Sequence, residues 1–137
     1  MNVYLDTSVI LRVLLGDSRK IDRWGRWKQA FSSRLWKTEA LRTMDRLRLN
    51  GAIDDTQVAL LRRDIEVVND VLHIVPVTES LLARAGESFP TVVGTLDAIH
   101  LASALAVRDS AGLDLLLTHD LQQAVAARSL GLQVDGV

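Results

Sequence analysis

The chain has 137 residues, 48% of them apolar, with no cysteine and a formal net charge of −1. That length suits one domain, residues 1–137, with a core of ordinary size, and the apolar content excludes a disordered chain. The lack of cysteine excludes disulfides, zinc fingers and thiol catalysis, and no apolar run reaches the roughly 18 residues that cross a bilayer.

The opening Met-Asn-Val-Tyr-Leu-Asp has neither a basic leader nor a cleavable apolar segment, so a cytoplasmic protein is expected. Residues 3–5 read as a first strand, closed by Asp6 and followed at once by Thr7-Ser8. A helix is expected over 7–15, ended by Gly16-Asp17. Residues 19–31 carry Trp24 and Trp27 at helical spacing, although Gly25 weakens the pattern. Over 33–50 the apolar set Trp36, Ala40, Met44 and Leu47 recurs every three or four residues until Asn50-Gly51. Asp54-Asp55 can cap the next helix, whose stripe is Val58, Leu61, Ile65, Val68 and Leu72.

Residues 73–75 read as a second strand, closed by Pro76, and residues 78–88 as a helix. Phe89-Pro90 opens a loop that includes Gly94. The helix from Thr95 is apolar almost all round, which places it against a sheet. Residues 114–117 form a third strand, 121–130 a helix with Gly131 at its C-cap, and 132–134 a last strand. Strands separated by helices imply parallel pairing with right-handed crossovers, hence a three-layer α/β/α domain with a mainly parallel central sheet. In such folds ligands bind beyond the carboxyl ends of the strands, at the switch point, and Asp6 and Asp120 both fall at that edge.

Charge is unevenly spread. Residues 12–48 hold 11 of the 16 Lys and Arg against four acids, a net +7, while residues 49–137 hold five against 12, a net −7. A basic third beside an acidic remainder suits a nuclease, one part holding phosphate and the other metal. Arg23, Arg26 and Lys28 are the expected phosphate contacts. A partner-binding surface or an Arg-rich solvated face remain the alternatives.

Four acids stand out. Asp6 can cap the helix at Thr7, but Ser8 could do that alone, so a second role is open to it. Asp97 enters an apolar helix near the strand ends, with Thr95 as its expected cap. Glu39, by spacing alone, can equally be a surface partner of Arg42, and Asp120 can equally cap the last helix. Asp114 reads as a surface residue at strand entry. His100 lies one turn past Asp97 and reads as a satisfied core histidine. Trp24, Trp27 and Trp36 read as core or partner-interface packing rather than base stacking. Oxygen ligands converging over a parallel sheet suit a hard divalent cation, and hence a metal-dependent phosphodiesterase.

Four blocks carry a family resemblance: Leu5-Asp6-Thr7-Ser8; Ser33 with Glu39 and Arg42; Leu96-Asp97-Ala98-Ile99-His100-Leu101-Ala102-Ser103-Ala104; and Leu117-Thr118-His119-Asp120. In this order they resemble the PIN domain and, more narrowly, the VapC-type ribonuclease toxins of toxin–antitoxin pairs. The resemblance covers essentially the whole chain, and the Asp-Ala-Ile-His-Leu-Ala block is its most specific part. It implies a Mg²⁺- or Mn²⁺-dependent endoribonuclease acting on RNA, neutralised by an antitoxin. The toxin is then expected as a homodimer or a hetero-oligomer with that partner. Asp6 and Asp97 match the family's principal metal ligands, Glu39 and Asp120 its outer acids, and Thr7 and Thr118 its supporting hydroxyls. Exposed Trp and Leu side chains of 24–47 are the expected antitoxin surface.

Competing classes fit less well. A phosphorelay receiver needs a late lysine, and the last lysine here is Lys37. A haloacid-dehalogenase-type phosphatase wants an acid where this chain has Ser8. A housekeeping RNA-processing PIN nuclease and a catalytically weak PIN-fold binding module are the nearer alternatives.

Overall fold

The computed structural model describes residues 1–16, 21 and 24–137. Five strands, β1 (Asn2–Leu5), β2 (Gln29–Ser33), β3 (His73–Val75), β4 (Leu115–Leu117) and β5 (Val134–Asp135), form one sheet. Their order is β3-β2-β1-β4-β5, and every pairing is parallel. Six helices connect them: α1 (Thr7–Leu14), α2 (Leu35–Leu49), α3 (Asp55–Val71), α4 (Glu79–Ala85), α5 (Thr95–Ser110) and α6 (Leu121–Ser129).

Alternation along the central strands generates the layers. Val3 and Leu5 of β1, with Leu115 and Leu117 of β4, face α1, α2 and α3 through Val9, Ile10, Trp36, Ala40, Met44, Leu61 and Ile65. Tyr4 and Leu116 face the opposite way, onto Leu101, Ala104 and Leu105 of α5 and Ala126 and Ala127 of α6. Both faces of the sheet are thus covered, and the three-layer α/β/α reading holds. From β1 the chain runs outward to β2 and β3 on one side, then returns to β4 and β5 on the other. The switch point therefore lies between the carboxyl ends of β1 and β4.

The largest departure from the sequence reading concerns β2. Part of the helical pattern expected over 19–31 lies outside the described residues, and Trp24-Gly25 forms a turn. Gln29–Ser33 is a strand lodged between β1 and β3. Its polar residues are satisfied there: Ser32 is fully buried and donates to the Leu5 carbonyl at 2.7 Å, and Ser33 Oγ accepts from Leu35 N at 3.1 Å. Trp24 and Trp27 meet edge to face, with centroids 5.0 Å apart, and pack half-buried on the core rather than along a helix. Trp36 is fully buried, its indole N–H donating to Asn69 Oδ1 at 3.1 Å. It therefore cannot belong to an exposed docking surface.

The C-terminal strand is tied to the switch point through Gly136. Its φ is +102°, and a Cβ there would strike the carbonyl oxygen of Thr118. Gly136→Ala should therefore cost about 1–3 kcal/mol, through left-handed strain plus displacement of Thr118. Gly112, also at positive φ (+83°), has open space around it, so Gly112→Ala should cost only about 1–2 kcal/mol. Denaturant midpoints of the two variants check this; a smaller loss at 136 than at 112 would contradict it.

Candidate active site

Asp6 leaves β1 at the switch point and caps α1, with 5% of its surface exposed. Its Oδ2 accepts from Ser8 Oγ at 2.6 Å, Thr118 Oγ1 at 3.0 Å and Ser8 N at 3.4 Å. That oxygen is saturated. The other, Oδ1, lies 3.6 Å from His100 Nε2. Capping thus uses one oxygen of the carboxylate and leaves the other for a second role.

Glu39 is built the same way. It sits one turn into α2, and its Oε1 accepts from Thr7 Oγ1 and from His100 Nε2, each at 2.7 Å. Among the described residues, no hydrogen bond reaches Oε2. The surface pairing with Arg42 does not occur, because Arg42 bonds Asp45 at 3.2 Å. The spacing leaves Glu39 ambiguous; its partners put the side chain beside Thr7 and His100 rather than in a surface ion pair.

Asp97 is the third residue of α5, whose N-cap is Gly94 rather than the expected Thr95. It is half-buried, and among the described residues its carboxylate accepts no hydrogen bond. Desolvation first, then the charges of Asp120, Asp6 and Glu39, push its pKa up to about 6, with His100 opposing them. Asp120 caps α6 through Oδ1, which accepts from Gln123 N at 3.0 Å.

Hydroxyls tie these acids together. Thr118 Oγ1 accepts from Asp120 N at 3.0 Å and lies 2.8 Å from the Gln123 amide. One hydroxyl proton cannot serve both Asp6 and Gln123. The Gln123 amide nitrogen, buried without a partner, satisfies the network when it faces Thr118. Ser8 Oγ accepts from His119 N at 3.0 Å, stitching the end of β1 to the end of β4.

The sequence reading takes His100 as a satisfied core histidine and Ser8 as an alternative cap, and gives Tyr4 no part in the site. His100 is a buried histidine, as expected, yet it also reaches two of the acids. Burial alone would lower its pKa; the hydrogen bond it donates to Glu39 and the charges of Asp6, Glu39 and Asp97 raise it above the ordinary value. The signal was available in the one-turn spacing from Asp97.

The acids and the basic segment part company. Lys28 N donates to the Met1 carbonyl at 2.8 Å, and Gln29 is in register with Asn2, so Arg26 and Lys28 adjoin the amino edge of the sheet. The acids adjoin the carboxyl edge, about 13 Å away along a four-residue strand. The expected phosphate contacts at Arg26 and Lys28 are therefore not beside the acids, and Arg23 lies outside the described residues. Arg34, exposed where β2 ends, is on the acidic side.

Asp114 is exposed at the amino edge, where Oδ2 accepts from Asn2 N at 2.7 Å. Asp114→Asn should leave cleavage of any substrate unchanged and shift stability by no more than about 0.5 kcal/mol. Glu39→Gln, tested alongside it, should cripple cleavage. Equal effects at the two positions would mean that the wrong acids had been chosen.

All four acids offer oxygen only, and their mutual repulsion is felt at Asp97. A hard divalent cation fits that donor set and would relieve the repulsion. Among the described residues, no three His, Asp or Glu side chains form a ready-made coordination cage. That suits an ion held through one or two carboxylates with retained waters, as Mg²⁺ commonly is. Among the described residues, no helix is long and apolar enough to cross a membrane.

Comparison with known proteins gives likenesses of three kinds: to a family, to a curated relative and to solved structures. A family model described as PIN domain matches residues 3–129. Ribonuclease VapC47 of Mycobacterium tuberculosis (strain CDC 1551 / Oshkosh) is 26% identical over 136 residues, spanning 94% of this chain and 92% of the relative. Among solved structures, VapBC2 from Rickettsia felis, bound to a DNA fragment from their promoter, superposes with a TM-score of 0.68 at 11% identity. That match covers 100% of this chain and 99% of the other. VapBC-1 from nontypeable Haemophilus influenzae gives a TM-score of 0.62 at 17% identity, covering 99% and 98% of the two chains.

Proposed function

Because the chain belongs to the PIN domain family, we propose that it is a divalent-cation-dependent endoribonuclease, the toxin of a toxin–antitoxin pair, acting as one domain over residues 1–137. The observation that carries this reading is the convergence of Asp6, Glu39, Asp97 and Asp120 at the carboxyl edge of the sheet, where desolvation first, and then the other three charges, raise the Asp97 pKa to about 6. The likeness to a ribonuclease over 94% of the chain supports RNA as substrate. The fold's likeness to two VapBC proteins supports an antitoxin partner.

Asp6 and Asp97 would hold a Mg²⁺ or Mn²⁺ ion, with Glu39 and Asp120 as outer acids, and the bound ion would supply Lewis-acid chemistry that acidifies water and offsets phosphate charge. The chain's own residues prepare for it. Asp6 and Glu39 each have one oxygen engaged by donors, which fixes the carboxylate and, among the described residues, leaves the other oxygen without a hydrogen bond. Thr7 and Thr118 are the hydroxyls that hold them. The amino ends of α1, α5 and α6 lie at the same edge, and their dipoles favour an approaching phosphate. The RNA path is assigned to this edge, where Arg34 is an exposed cation, rather than to Arg26 and Lys28.

The antitoxin surface moves with it. Leu96 and Leu121, 50% and 67% exposed, directly adjoin Asp97 and Asp120 in sequence, and Val92, 79% exposed, shares a groove with Leu121 and Val125. An apolar segment carrying a basic side chain, laid there, would cover the acids. The test is cleavage of a structured RNA by the purified chain, with Mg²⁺ or Mn²⁺, with EDTA, and with the protein encoded beside it. Cleavage should require the cation and cease when the partner binds in a stable complex. Equal cleavage in EDTA would overturn the metal dependence, and undiminished cleavage in the complex would overturn the antitoxin role.

A further inference from the structure

We propose that the buried Tyr4–His100 pair is the positioning device for Glu39, pinning one carboxylate oxygen so that the other is presented to the acidic pocket. The proposal rests on the reading of Glu39 as a cation-facing acid.

Three elements distant in sequence meet at this pair. Tyr4 points from β1 onto the α5 face of the sheet, and His100 stands one turn beyond Asp97 on α5; their exposures are 0% and 1%. The phenol oxygen is 2.7 Å from His100 Nδ1, and His100 Nε2 is 2.7 Å from Glu39 Oε1. A carboxylate brings no proton to that contact, so Nε2 carries the hydrogen and donates. In the neutral ring Nδ1 is left to accept from the phenol, which burial, and next the Asp6 charge, keep protonated; in the imidazolium, Nε2 still donates to Glu39. A hydrogen bond on one ring nitrogen thereby fixes what the other can do. The Tyr4 ring stands edge-on to the imidazole, with centroids 5.9 Å apart at 78°, and bars it from turning.

The consequence falls on Glu39, which has three side-chain torsions to fix where each aspartate has two. Thr7 alone would fix its Oε1 by a single contact; Thr7 and His100 together fix the carboxylate plane. A core histidine merely satisfied by its surroundings would contribute to stability without altering what Glu39 binds. Such a role predicts a loss of folding, not of cation affinity.

The experiment is calorimetric titration of the full chain with Mn²⁺, in wild type and in His100→Leu, His100→Gln, Tyr4→Phe, Glu39→Gln and the double variant Glu39→Gln/His100→Leu. Melting curves establish that each is folded. His100→Leu should weaken Mn²⁺ binding by roughly 10–100-fold, the usual scale for a partner behind a ligand. His100→Gln, which keeps an N–H near the position of Nε2, should recover most of that loss, and Tyr4→Phe should fall between them. In the Glu39→Gln background, His100→Leu should add nothing further, since the residue through which it acts has lost its charge. A folded His100→Leu with wild-type affinity overturns the proposal, as does the same fold-loss in both backgrounds. If His100→Leu does not fold, wild-type affinity in Tyr4→Phe overturns it equally. Failure is distinguishable from failure of the underlying reading: Glu39→Gln binding Mn²⁺ as wild type does would remove both together.

Discussion

Asp97→Asn is expected to abolish RNA cleavage while raising the melting temperature of protein kept free of divalent cations. The substitution preserves volume and removes a charge that the fold holds at a cost. For cleavage, loss of a charged ligand removes several kcal/mol of Lewis-acid assistance, and each 1.36 kcal/mol is tenfold in rate, so a fall of about 10³-fold is expected. For stability, the carboxyl stands near 6 in the fold against an ordinary 3.8. It is half-exposed, so solvent screening reduces the apparent penalty to about 1 kcal/mol. In a domain of this size that corresponds to roughly 3–5 °C. Scanning fluorimetry in EDTA and a cleavage assay with added Mg²⁺ read the two effects on one preparation. Near-normal cleavage by the variant would remove Asp97 from the site.

The second expectation concerns pH. Because the folded pKa of Asp97 is raised, the native state binds more protons than the unfolded chain between about pH 4 and 6, so stability falls as pH rises through that window. His100, also raised, acts in the same direction: its contribution is intact below about pH 6.5, the unfolded value, and is lost as pH climbs through the folded one. Without divalent cation the protein should therefore be more stable at pH 5 than at pH 7.5. A cation reverses the trend, since its ligands must be deprotonated. At pH 5 a proton competes for Asp97; at pH 7.5 it does not, and the apparent affinity for Mn²⁺ should improve about tenfold. That is worth about 1.4 kcal/mol of added stabilisation, or roughly 3–6 °C in the melting shift. A cation-induced shift equal at the two pH values, or equal in wild type and Asp97→Asn, would place the cation elsewhere.

The sequence carried the central part of the fold because its strands and helices there are chemically unambiguous. Val3–Leu5 and Leu115–Leu117 are apolar on every residue, and α5 is apolar almost all round, so burial on both sides was legible. Strand β2 was not legible, because Gln29-Ala30-Phe31-Ser32-Ser33 has no β-branched residue and its buried Ser32 is satisfied by Leu5, 27 residues away. The same holds for Glu39. Nothing in its own helix distinguishes it from a surface acid, and its two partners, Thr7 and His100, lie 32 and 61 residues away. Charge counting located the basic segment but not the direction of the strand that follows it, and that direction sends Arg26 and Lys28 to the far edge of the sheet.

The most direct measurement is an anomalous difference map from crystals of the full chain grown with Mn²⁺. A peak is expected in the pocket enclosed by Asp6, Glu39, Asp97 and Asp120, within ligating reach of Asp6 Oδ1 and of Asp97, and missing from Asp97→Asn crystals prepared identically. Protein that cleaves RNA in the same buffer but shows its peak away from these acids, or an unaltered peak in Asp97→Asn, would contradict a catalytic centre built on the four carboxylates.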